Sequence, residues 1–116
     1  MNENINQNKE LDQDVWFLYL HALKSPMTRE KYQKRLEKFF DFLGLEGTTI
    51  EVKSKSFLKR IKVEDNQWAF NSLLKFMKYQ LERVNSKEIT GATVGNYLKS
   101  IKLFYEMADI SISWKK

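Results

Sequence analysis

Residues 25–44, SPMTREKYQKRLEKFFDFLG, constrain the fold more than any other stretch, because they read as one helix with both ends specified. The Ser25 hydroxyl can accept from a first-turn N–H, and Pro26 sits where a helix needs no donor. Gly44 follows the last apolar residue and can take the left-handed conformation that stops a helix. Between them Tyr32, Leu36, Phe39, Phe40 and Leu43 fall on one face. Such a stripe must be covered by another element. The charges on this helix are sorted as well. At about 100° per residue, Lys31, Lys34, Arg35 and Lys38 flank the apolar stripe, while Glu30, Glu37 and Asp41 lie together on the far side. A basic ridge beside a buried face suits a helix that lies against phosphates while docked on its own core; a solubilising lysine-rich surface is the plainer reading.

A second stretch repeats the pattern. Shifting the first by 65 positions sets Ser25 on Thr90, Thr28 on Thr93, Tyr32 on Tyr97, Leu36 on Ile101, Phe39 on Phe104 and Phe40 on Tyr105. The shared pattern is S/T-x-x-T-x-x-x-Y-x-x-x-(L/I)-x-x-F-(F/Y). A hydroxyl cap and a helical apolar period are common to many helices, but the matched threonine and tyrosine are less generic. No third copy lies between them, so this is a pair of similar helices rather than a repeat array.

These two motifs, in this order and spacing, resemble the N-terminal core-binding (SAM-like) domain of tyrosine recombinases and phage integrases, over roughly residues 11–112. The resemblance implies an all-α fold, a four- to five-helix orthogonal bundle that grips one face of duplex DNA. It implies duplex DNA as partner, a catalytic domain in the same full-length chain, and further copies of the chain on DNA. Carried over by position, the DNA-binding candidates are Thr28, Arg29, Lys31, Lys34, Arg35 and Lys38 on the first motif helix. On the second they are Thr93, Asn96, Lys99, Ser100 and Lys102. Threonines near helix starts can donate to phosphate beside free backbone N–H groups, and lysines and arginines neutralise phosphates with release of counterions. The chain departs from the family at Val94, Gly95 and Asn96, where a basic residue usually follows the threonine. The family's catalysis uses a tyrosine nucleophile, arginines, a lysine and histidines in a separate C-terminal domain. Those spaced motifs do not occur here, so the chain is expected to bind and not to catalyse. Residues 113–116 then read as the start of a linker towards that domain.

Composition agrees with helices: one proline, four glycines and few alternating β-branched runs argue against sheet. With no cysteine, disulfides and thiolate metal sites are excluded; no metal cluster or phosphate loop appears, and no cofactor is expected. No apolar run approaches the length of a membrane span and no signal peptide is present, so the expected compartment is the cytoplasm, with no membrane partner. The formal net charge of +5 understates the basicity. Residues 1–14 carry four acids against Lys9, leaving 19 bases to 11 acids, or +8, in the rest. That suits a polyanion: DNA bound as a recombinase domain or as a stand-alone accessory factor, or else an acidic protein partner.

The remaining stretches supply the other helices. Residues 1–10 are polar and aperiodic and read as a disordered tail. A first helix is expected over 11–23, with Leu11, Val15, Leu18 and Ala22 as its stripe, widened by Trp16, Tyr19, Leu20 and Leu23. His21, the one histidine, lacks partners for catalysis or metal binding and reads as structural or exposed. Residues 44–49 form a turn, and 50–52 a brief extended piece. In 53–62, five basic residues occur without an acid; Ser54 or Ser56 caps a short helix with Phe57, Leu58 and Ile61 inward. Lys59 and Arg60 there are further DNA-binding candidates, against a plain lysine-rich connector. Asp65 caps a long helix over 66–84 whose expected core face is Phe70, Leu73, Met77, Leu81 and Val84, extended on either side by Phe76 and Leu74. Trp68 and Tyr79 point away beside lysines, either to stack on bases or to be covered by a neighbouring helix.

Overall fold

A computed structural model describes residues 15–112 of the chain; the expected tail at 1–10, the expected helix start at 11–14 and the expected linker at 113–116 lie outside the described residues. Among the described residues the fold is all-helical. Helix α1 covers 15–21, α2 Pro26–Phe42, α3 Ile50–Val63, α4 Asn66–Asn85 and α5 Gly91–Met107.

Each helix start among the described residues carries a side-chain cap. Ser25, Thr49, Asp65 and Thr90 accept from the N–H of Thr28, Val52, Trp68 and Thr93 respectively. The cap at Thr49 corrects the reading of 50–52 as extended. Once Val52 N–H is satisfied by Thr49, Ile50 to Val52 become the first turn of α3, with Glu51 placed favourably against the helix dipole. Neither serine is then needed as a cap: Ser54 is buried and donates to Glu51 O at 2.6 Å, and Ser56 donates to Glu46 O and Val52 O. Helices α2, α4 and α5 end alike. Gly44, Lys87 and Asp109 adopt φ of 72°, 66° and 57°, and the N–H groups beyond them return to Phe40 O, Arg83 O and Tyr105 O.

The core is aromatic. Phe39, Phe40, Phe57, Phe76, Phe104, Tyr105, Leu36 and Ile101 are almost wholly buried. Phe39 lies 5.8 Å from Phe57 and 5.3 Å from Phe76 between ring centroids, and Phe40 5.4 Å from Phe104. α2 packs on α5 and α3, and α4 packs on α5 and α3. Two faces differ from expectation. On α1 the buried residues are Val15, Trp16, Tyr19 and Leu23, while Leu18 and Ala22 are exposed. The reason is Tyr19, whose ring stacks on Trp16 and meets the edge of Phe104. On α4 the core side is Ala69, Ser72, Leu73, Phe76 and Gln80. Ala69 is small enough for Tyr105 to approach and donate to its carbonyl at 2.8 Å, and Phe76 fills the space by Phe39 and Tyr97. That turns Phe70, Met77 and Val84 to the half-buried edge and exposes Leu81.

Candidate nucleic-acid interface

The two motif helices are neighbours. Tyr32 comes close to Ser100, and Phe39 and Phe40 pack near Tyr105 and Phe104. One side chain ties them: the Tyr19 hydroxyl, on α1, sits 3.3 Å from Tyr32 O and 3.4 Å from Ser100 O. Burial pushes the Tyr19 phenol well above its ordinary range, so it stays a neutral donor between the two carbonyls.

The basic flank of α2 is largely clear of acids. Lys31 and Lys38 are exposed, Arg35 is half-buried, and none of the three pairs with a carboxylate among the described residues. Lys34 reaches Glu30 at 3.1 Å, an exposed pair of little energetic weight. The acidic flank has a structural use. Lys53 of α3 places its ammonium 2.8 Å from both Glu37 and Asp41. Hydrogen bonds to Asp41 and then Glu37 raise the Lys53 pKa. Glu37 and Asp41 thus dock α3, while Lys38 lines a shallow depression that also holds Asp41 and Glu88.

Not every candidate belongs to that surface. Ser100 is fully buried; its hydroxyl donates to Asn96 O at 3.3 Å and its carbonyl faces Tyr19, so it is a packing residue and not a DNA contact. Arg29 is half-buried with its guanidinium turned back on the chain. It donates to Leu20 O at 3.1 Å and to Leu23 O at 3.2 and 2.8 Å, closing the end of α1. The signal for this was present: residues 20–25 hold no glycine to end the first helix, so its last carbonyls need a donor from elsewhere.

Thr28 is exposed and Lys99 and Lys102 lie on the outer side of α5, with Asn96 half-buried beside them. Thr93 is half-buried with its hydroxyl 3.1 Å from that of Thr90. Lys59 and Arg60 stand on α3, which docks on the acid-bearing flank of α2, so they form a surface separate from the Lys31–Lys38 ridge. They line a shallow depression with Gly44, Leu45, Ser56 and Val63. Arg60 there pairs with Glu64 at 3.3 Å and lies 5.3 Å from the centre of the Trp68 ring. Trp68 is itself covered by Phe57 of α3, whereas Tyr79 stays 44% exposed against Phe42. His21 is exposed, stacked on Phe17 with Nδ1 2.9 Å from Phe17 O.

Among the described residues there is no group of acids or histidine able to hold a metal, and no helix long and apolar enough to cross a membrane. No family model, curated protein or solved structure matches this chain.

Proposed function

We propose that the chain is a duplex-DNA-binding domain of the SAM-like core-binding kind, serving a tyrosine recombinase or integrase by holding DNA rather than by chemistry. The observation that carries this reading is the row of Lys31, Arg35 and Lys38, none of them ion-paired among the described residues, on the helix that Tyr19 ties to α5. The ridge presents cations on a rigid scaffold at roughly one-turn spacing along α2, which suits successive phosphates. Lys34 and the hydroxyl of Thr28 extend it along α2, and Lys99 and Lys102 add exposed cations on α5. Asn96 is the side chain best suited to a base edge. A cytoplasmic location and a catalytic domain elsewhere in the full-length protein go with the same reading.

Fluorescence anisotropy with duplex DNA at rising salt tests it. Log affinity falls linearly with log salt, and replacing Lys31, Arg35 and Lys38 with glutamine flattens that slope by about 3, roughly 1 for each lost phosphate contact. Unchanged affinity in the folded triple variant overturns the assignment of the ridge. No binding at low salt overturns the DNA reading and turns attention to an acidic protein partner.

A further inference from the structure

Helix α4 is apolar on two sides. One side, with Ala69, Leu73 and Phe76, is consumed by the bundle. Beside it run Phe70, Leu74, Met77, Leu81 and Val84, stepping 4, 3, 4 and 3 residues. That is the spacing of a seam that packs against another helix, and among the described helices none takes it up fully. Leu74 is 42% and Leu81 53% exposed, and Phe70, Met77 and Val84 are only half-buried. A helix that meets only water beyond its core face places polar residues at such positions.

We infer that this seam is a self-association surface, taking α4 of a second copy of the same chain in an antiparallel pair. The choice of a second copy rests on self-complementarity. A two-fold axis between Lys75 and Phe76 sets Leu74 against Met77 of the second copy and Phe70 against its Leu81. It leaves Lys78 next to Asn71, so no like charges meet along the seam, and the helix dipoles oppose. Lys75 sits on the far side of the helix. The seam belongs to a single 20-residue helix, whereas a stable interface takes roughly 800 Å² per partner, so the dimer is inferred to form reversibly as concentration rises. Two chains of net charge +5 repel, so added salt strengthens the pair, the opposite of its effect on DNA binding. The inference is independent of the DNA reading.

Sedimentation equilibrium on the full chain, without DNA, from about 10 µM to about 500 µM at low and moderate salt, tests it. The weight-average mass climbs from 13.9 kDa towards twice that value, further at moderate salt. Leu74→Lys and Leu81→Lys, both at exposed positions, hold it at 13.9 kDa with helicity unchanged. A wild-type mass that stays at the monomer value throughout overturns the inference. So does association that survives both lysine variants, or that is lost instead on Phe17→Ser at the exposed face of α1.

Discussion

Two residues of the same charge and nearly the same position on α2 have opposite roles. Arg29 faces the end of α1 and supplies three hydrogen bonds to its carbonyls, whereas Lys31, two residues on, faces water. Arg29→Met leaves those half-buried carbonyls unpaired, so it lowers stability by about 1–3 kcal/mol in a denaturant titration. Lys31→Gln leaves the unfolding midpoint in place and weakens DNA binding. Sequence spacing distinguishes these two poorly, because it gives the direction of a side chain from its own helix and not what the preceding helix end lacks. Ser100 is the same lesson on α5. Its position matches Arg35 in the motif, but it is buried with its carbonyl facing the Tyr19 hydroxyl, and only the packing of α1 reveals that.

At the scale of the element, the caps were legible and the faces less so. Ser25, Asp65 and Thr90 mark three helix starts through residue chemistry that acts within one turn. On α4 the expected face is offset rather than absent from the core: Leu73 and Phe76 are buried as expected, but the bundle centres on them with Ala69, Ser72 and Gln80 and leaves the more apolar Phe70, Met77, Leu81 and Val84 to one side. Tertiary fit, through Ala69 and Phe76, prevailed over hydropathy. Two helix ends carry side chains in a conformation that favours glycine, at Lys87 and Asp109. Lys87→Gly therefore raises stability by about 0.5–1 kcal/mol, read as a higher denaturation midpoint. Gly95 is the converse: it lies inside α5, and a β-carbon there meets nothing within 4 Å. Gly95→Ala raises stability by about 1 kcal/mol. If DNA approaches the α5 backbone at this point, the same substitution weakens duplex binding while strengthening the fold, and measuring both separates the two effects.

For the whole molecule, the all-helical class follows from the apolar stripes and helix-forming composition, while the adjacency of the motif helices and the way α1 closes the bundle emerge only from packing. Three groups make the assembly sensitive to alkali. Burial holds the Tyr19 and Tyr105 phenols protonated in the folded chain beyond the ordinary value of 10.0, and Asp41 with Glu37 holds the Lys53 ammonium protonated beyond its ordinary 10.5. In each case the fold retains a proton that the unfolded chain releases, so stability is full below about pH 10 and falls as pH rises above it. Denaturant midpoints measured from neutral to strongly alkaline pH show that decline, and Tyr105→Phe makes it shallower. The Tyr19 hydroxyl joins residues 81 apart when it meets Ser100. A chain emerging from the ribosome can form α2, α3 and α4 early, but α1 finds its final seat only once α5 has been synthesised. Until then the Tyr19 ring lacks the Phe104 wall of its pocket, and the apolar side of α1 stays open to water until α5 emerges.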